Sequence, residues 1–399
     1  MNELPVGRRV AQWRVRRNMT QQQFADRLGK TKSWVDKVER GVRRLERVSN
    51  LREVAETLRI DVEVLLATRP RRPTPVAAGV DGIRTALARY HLPRTTRPPL
   101  VEELPARLDH AEQSYRHARY PALLALLPGL LDAVREAHAA REAQAACPGG
   151  TDALLVSVYA LIALVLVKVD QGELAWLAAD RGMAAALATQ DPQLAAVATV
   201  SLSQALRSHG RRRSALEAAL VAAARVGAPG GEPSVSLALR GTLLLQAALA
   251  AAAGGDERRA RQSLDQAAAI ALDDGGGCEA SADNGSAGAS YGGVGCGGLV
   301  LRVGVGGFSH AVVEAARVVA EAALGDVATA VGRHERLVTG EEWRWLPLEH
   351  RAAYLLDVAR AHARAGDMLP AGRMLLVAER TAPGEVYDRP AVRKLVAVV

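Results

Sequence analysis

Between Pro105 and the C-terminus, text rich in Ala, Leu and Val is broken five times by a glycine followed by a polar residue. The breaks are Gly172-Glu173, Gly210-Arg211, Gly255-Asp256, Gly325-Asp326 and Gly366-Asp367, at successive spacings of 38, 45, 70 and 41. Glycine stops a helix because it enters the left-handed region of backbone space without a steric penalty. A period near 40, with the 70 standing for nearly two periods, predicts stacked helix pairs, each able to bury its apolar face only against its neighbours. Aromatic residues make up only 4% of the chain, so small side chains must fill the interfaces. That suits close helix packing better than sheet, and the chain is expected to be all-α.

Similar text follows several breaks: GELAWLAADRGMAAA from Gly172, GDERRARQSLDQAAAIA from Gly255 and GDMLPAGRMLLVAERTAP from Gly366, with Pro383 closing one unit. These residues resemble tetratricopeptide-like repeats in a degenerate form, because the large aromatics of that pattern are mostly missing and the period exceeds its usual length of about 34. An irregular α-helical bundle is the alternative. Asp274 to Gly307 departs from the pattern, with more than a third of its positions glycine. Ordering such a stretch loses much chain entropy and buries little, so it reads as an irregular segment or a decayed, frame-shifted one. Within it, GVGCGG (Gly293 to Gly298) satisfies the string GxGxxG. No strand precedes that string and no helix start follows, so it is not read as a nucleotide site. Trp343, Trp345 and Tyr354 are the nearest thing to an aromatic ligand patch, although core packing is the commoner use of such residues.

Upstream of the repeats, residues 69–104 contain RPRRPTPV and LPRTTRPPL and read as a Pro/Arg-rich linker, with a short helix inside it from about Gly82 to Tyr90. The longest apolar run, Ala153 to Val167, lies between Asp152 and Lys168. It falls short of the roughly 20 apolar residues that a bilayer requires, so it reads as a buried helix and not a membrane span. The N-terminal MNELPVGRRV has no apolar stretch behind its charges and no secretory pattern. Cys147, Cys278 and Cys296 are scattered, without a CxxC, which suits a reducing cytosol and offers no metal site. No membrane partner is expected, and the chain is expected to be cytoplasmic.

The N-terminal segment is of another kind. In TQQQFADRLGKTKSWVDKVERG, Thr20 to Gly41, Thr20 and Gln23 form a capping box that starts a helix at Gln21. Phe24, Ala25 and Leu28 make one apolar face, and Gly29 stops the helix. After the turn Gly29-Lys30-Thr31, a second helix runs from Lys32 to Arg40 and is closed by Gly41, with Val35 and Val38 as its core stripe. At about 100° per residue, Ser33, Asp36, Lys37 and Arg40 face away from that stripe, with Lys32 at the exposed N-terminal lip. Charge follows the same division. Residues 1–72 hold 18 Lys/Arg against nine Asp/Glu, net +9, whereas the remaining 327 hold 33 against 34. A basic patch confined to one segment is the footprint expected for a polyanion.

These residues resemble the Cro and lambda-repressor-like (XRE) helix-turn-helix family, through Thr20, Gln21, Phe24, Ala25, Gly29, Thr31, Val35, Val38, Glu39 and Gly41 at the spacing of that motif. The resemblance covers residues 4–68 and implies a five-helix DNA-binding domain, with further helices from about Val6 to Arg17, Ser49 to Leu58 and Asp61 to Leu66. It implies that Gln21 holds a backbone phosphate, that Lys32, Ser33 and Lys37 meet base edges in the major groove, and that Arg40, Arg43 and Arg44 meet phosphate. Arg14 and Glu39 resemble a structural pair tying the first helix to the third. Trp34 either packs at the domain edge or touches a thymine methyl or sugar. Head and body together resemble the large actinobacterial regulators of this architecture and, more distantly, the peptide-sensing regulators.

The fold class expected is therefore all-α: a five-helix lambda-repressor-like domain at 1–68, a linker at 69–104 and a tetratricopeptide-like repeat domain at 105–399. The function expected is sequence-specific transcription regulation. The partners are double-stranded DNA, a second copy of the chain, and a small-molecule or peptide effector on the body. A helical-repeat interaction scaffold with an auxiliary DNA-binding head is the alternative. Catalytic signatures are missing: there is no HExxH or GxxxxGK[ST], and His91, His117, His138, His209 and His362 lie singly in helical text. No enzymatic activity, cofactor or metal is expected.

Overall fold

The computed structural model describes residues 6–43, 45, 48–60, 74–90, 101–143, 150–226, 233–274, 308–397 and 399. The described residues form helices and no strands, and the chain divides into two units, Met1–Thr74 and Pro75–Val399. In the first unit four helices are described: α1 (Val6–Arg16), α2 (Gln21–Arg27), α3 (Lys32–Glu39) and α4 (Val48–Leu58). The fifth helix expected, near Asp61 to Leu66, lies outside the described residues. Val10, Met19, Phe24, Ala25, Val35, Val54, Ala55 and Leu58 make the core of this unit.

The second unit begins earlier than its sequence suggests. Helix α5 (Pro75–Leu87) occupies part of what reads as linker, and it buries Val80, Ile83, Ala86 and Leu87 in the core of the second unit. It packs on α7 (Tyr120–Ala143), where a Cβ at Gly79 would lie 2.5 Å from Leu124 Cβ, so only glycine allows the approach. Pro75 is the reason for the misreading. Proline marks a break in sequence, yet its fixed φ and missing N–H suit the first helical position. Within the stretch read as linker, the short helix expected from Gly82 to Tyr90 is thus part of a longer one, Pro75–Leu87, that belongs to the second unit, and α6 (Leu104–Arg116) starts at Leu104.

The body then follows the glycine breaks. Its first helices are α8 (Gly150–Lys168), α10 (Pro192–Ser208), α12 (Pro233–Ala253), α14 (His310–Leu324) and α16 (Leu348–Ala365). Each is paired with the helix after it, respectively α9 (Gly172–Ala188), α11 (Arg212–Arg225), α13 (Glu257–Asp274), α15 (Val327–Thr339) and α17 (Met368–Thr381). Short helices α18 (Pro383–Tyr387) and α19 (Pro390–Val396) finish the chain. All five breaks have the same geometry: a left-handed residue, and a following N–H that bonds a carbonyl five positions back. These bonds are Gln171 to Leu166, Arg211 to Leu206, Asp256 to Ala251, Asp326 to Glu321 and Asp367 to His362, at 2.8 to 3.0 Å. This is the Schellman closure of a helix. Gly210, Gly255, Gly325 and Gly366 supply the left-handed residue, but at the first break Asp170 does (φ 62°), and Gly172 instead opens α9. Asp256 and Asp326 then cap the second helix of their pairs, accepting from the N–H groups of Arg259 and Thr329.

The stack closes on itself. Helices α6, α8, α10, α12, α14 and α16 each pack on the next, and α16 packs back on α6, so six helices form an inner ring. Two of the helices in this unit, Gly150–Lys168 and the 236–253 stretch of α12, are long and apolar enough to cross a bilayer, but most of each is buried inside the unit. The Gly-rich 274–307 stretch and all three cysteines fall outside the described residues, except that Asp274 ends α13. Trp343 and Tyr354 pack edge to face at 5.4 Å, and the buried Tyr354 hydroxyl bonds Nδ1 of buried His334 at 2.9 Å. Trp345 is exposed, so the three residues do not form one patch.

Candidate nucleic-acid interface

Helix α2 starts where the sequence places it. The Thr20 hydroxyl accepts from the Gln23 N–H at 3.2 Å, and the Gln23 side chain accepts from the Thr20 N–H at 2.9 Å. Its end is a Schellman closure in which the Gly29 N–H bonds Asp26 and the Lys30 N–H bonds Ala25, with Gly29 at φ 61°. Immediately after Lys30, Thr31 caps α3, accepting from the Trp34 N–H at 3.2 Å. Gly41 (φ 76°) follows the C-cap Arg40. Two helices joined by so short a turn expose one face of the second, provided that its other face is braced.

The brace comes from α1. A Cβ at Gly7 would sit 1.9 Å from the Val38 carbonyl oxygen, so α1 and α3 meet closer than any side chain permits. Glu39, 6% exposed, takes a two-pronged contact from the Arg14 guanidinium, Nε to Oε1 at 2.6 Å and Nη2 to Oε2 at 3.1 Å. Arg14 also donates to the Met19 carbonyl at 2.6 Å. The fork geometry makes this a directional tie between α1, the turn before α2, and α3. Gln21 joins it, its Nε2 donating to Glu39 Oε2 at 2.8 Å. The Gln21 amide is thus held within the domain, with an N–H donor turned to Glu39 where the resemblance would aim it at phosphate. That bond is not readable in the sequence, since nothing in the spacing of 21 and 39 separates it from a solvent-facing amide.

Of the remaining predicted contacts, Lys32, Ser33, Lys37, Arg40 and Arg43 are all exposed. Ser33, Lys37 and Arg40 share the face of α3 that lies opposite Val35 and Val38, with Lys32 at its N-terminal lip and Arg43 in the turn after it. Lys32 and Lys37 have no ion pair among the described residues. Arg40 is tied to Asp36 on the same helix. Trp34 is half-buried and packs against the unit's core, with the Arg43 guanidinium over its ring at 5.9 Å. Its placement is that of a packing residue which also positions Arg43. Arg44 lies outside the described residues.

A braced two-helix unit presenting a cationic, hydrogen-bonding helix defines the class: a helix-turn-helix head, followed in the chain by a helical-repeat body. Residues 5–67 match the family described as helix-turn-helix domain. No curated protein matches the chain. Among solved structures, the Rap protein complexed with competence and sporulation factor shares 13% identity at a TM-score of 0.50, covering 95% of this chain and 99% of that one, a likeness of fold. Looser superpositions are found with Bacillus subtilis aspartyl phosphate phosphatase F (12% identity, TM-score 0.44, 96% and 94% covered). Bacillus thuringiensis PlcR in complex with the peptide PapR7 and DNA follows (12% identity, TM-score 0.29, 68% and 97% covered).

Proposed function

We propose that this chain is a sequence-specific transcription regulator and not an enzyme. In this reading α3 lies in the major groove of duplex DNA, and Lys32, Ser33 and Lys37 meet base edges while Arg43 and Arg44 meet phosphate. The observation that carries it is the exposed cationic face of α3, where Lys32, Ser33 and Lys37 stand on a helix fixed by Gly7 and by the Arg14–Glu39 fork. One short helix reads only a few base pairs, so the protein acts as a pair of copies on two half-sites about one helical turn apart. The helical body contributes the pairing of copies and responds to a small-molecule or peptide effector in the cytoplasm.

Selection of bound fragments from a random duplex pool, at fixed salt, tests the reading. A paired motif should emerge. Replacing Lys32, Ser33 and Lys37 by Ala should erase its preferences, each good base contact being worth about 1 to 3 kcal/mol. Arg43→Ala should weaken all sequences alike and flatten the dependence on salt. A protein that retains every duplex equally, or that keeps its motif after the triple replacement, is no reader of this kind.

A further inference from the structure

The six inner helices all line a cavity of about 290 Å³ that is partly open to solvent. Small-molecule sites are typically roughly 300 to 1,000 Å³, which puts this one at the small end. At the share of liquid volume one water occupies it holds about ten non-hydrogen atoms. One part of the wall is apolar, including Leu161, Leu164, Leu245, Leu249, Val312 and Val319. The rest carries charged and amide groups.

Pairing those charges leaves one over. Lys168 is met by Glu349 and Glu385, Arg116 lies 3.8 Å from Glu112, and Asp357 is taken by Arg360. The Arg207 side chain, from α10, has neither an ion-pair nor a hydrogen-bond partner among the described residues, although it faces the same cavity. Burial presses on its charged form, lowering its pKa, and only the more distant charge of Asp357 opposes that. Arg207 is only partly buried and a guanidinium scarcely gives up its proton in a protein, so it stands in the cavity as a charge that an anion can pair in place of water. Next along the ring, Gln246 of α12 is 8% exposed, lines the same cavity, and its Oε1 has no donor. Two polar groups on adjacent inner helices are thus left unmatched in a cavity whose wall is otherwise partly aliphatic.

We propose that the lumen of the ring binds a small apolar monocarboxylate of about ten non-hydrogen atoms, its carboxylate forked by Arg207 and its chain laid against the leucines of α8 and α12. A guanidinium and a carboxylate match in a planar, two-bond geometry that a neutral head group cannot reproduce. A hydroxyl or N–H on the ligand would also satisfy Gln246. As a binding site this stands apart from the DNA-binding reading. Only its role as the effector site rests on that reading.

The test uses the full chain and two probes of similar size, octanoate and 1-octanol, in isothermal titration. Octanoate should bind saturably, one per chain, and 1-octanol at least 30-fold more weakly. Arg207→Gln should weaken octanoate at least tenfold without changing 1-octanol, and Arg207→Lys should recover part of the affinity. Equal affinity for the two probes, no saturable octanoate binding, or a heptapeptide with a free C-terminus binding more tightly than octanoate would each overturn the proposal. The two-probe comparison needs no variant, so a replacement that misfolds does not blunt it. Should octanoate bind as expected while the protein retains no duplex, the cavity assignment holds and the regulatory reading fails.

Discussion

Asp36 sits among cations on the exposed face of α3, half-buried and tied to Arg40 at the i,i+4 position. The pair stabilises the helix only slightly, because exposed i,i+4 pairs contribute about 0.3 to 0.5 kcal/mol. It nevertheless places a negative charge where phosphate oxygens would lie, and occupies a guanidinium that would otherwise meet one. Asp36→Asn should leave the melting of the domain nearly unchanged and tighten binding to every duplex. Because one more cation becomes available, the slope of log affinity against log salt should steepen by about 0.9. Unchanged affinity would mean that Arg40 does not approach DNA. At this scale the sequence is most legible where a residue's role depends on its immediate neighbours. Thr20, Gln23, Gly29 and Gly41 do as their spacing implies, because caps and left-handed turns are local geometry. Gln21 and Trp34 are harder, since their partners, Glu39 in one case and the core edge in the other, are set by how three helices pack.

Five helix pairs turn on the same closure, and the residue in the left-handed position is what the sequence signal reports. That signal is correct at four breaks and displaced at the first, where Asp170 takes the strained conformation and Gly172 is merely the first helical residue. The two kinds of glycine should respond differently. At Gly366 (φ 88°) a Cβ meets open space, so Gly366→Ala carries only the backbone penalty, about 1 to 2 kcal/mol. At Gly172 the φ is not positive and the nearest atom, His209 Nδ1, lies 3.5 Å from a built Cβ, an ordinary contact. Gly172→Ala should therefore be neutral or stabilising, by up to about 1 kcal/mol. Thermal melts of the two variants decide it: Gly366→Ala lower than the parent by a few degrees, Gly172→Ala not lower. Equal losses would show that the turn at 170 is not built as described. Helix α5 marks the limit of element-level reading, because Pro75 and Gly79 look like linker composition until the close approach to Leu124 is known.

No glycine break says that six helices will close into a ring, because closure depends on α6 meeting α16, helices near opposite ends of the second unit's sequence. What fastens it is a buried charge cluster. Lys168 of α8 reaches Glu349 at the start of α16 and, at 3.0 Å, Glu385 of α18. Glu385, 0% exposed, also accepts from the Tyr120 hydroxyl and pairs with Arg389. Burial alone would raise the Glu385 carboxyl, but Lys168 and Arg389, with the bonds from Tyr120 and Arg389, outweigh it and hold the group below the ordinary glutamate range. A carboxyl whose folded-state pKa is depressed contributes stability above its unfolded value, near about 4.3, and loses it as pH falls through the folded value. Glu385→Gln keeps the shape and removes the charge, leaving Arg389 buried without its anion. At neutral pH the variant should be less stable by about 3 to 5 kcal/mol, the usual cost of breaking a buried pair from one side. Below about pH 4 the gap between parent and variant should narrow, since acid strips the parent of the same charge. Denaturant melts of both proteins from neutral pH down into the acid range measure this. If the gap stays constant throughout, Glu385 is not ionised in the folded protein, and the closure of the ring owes nothing to its charge.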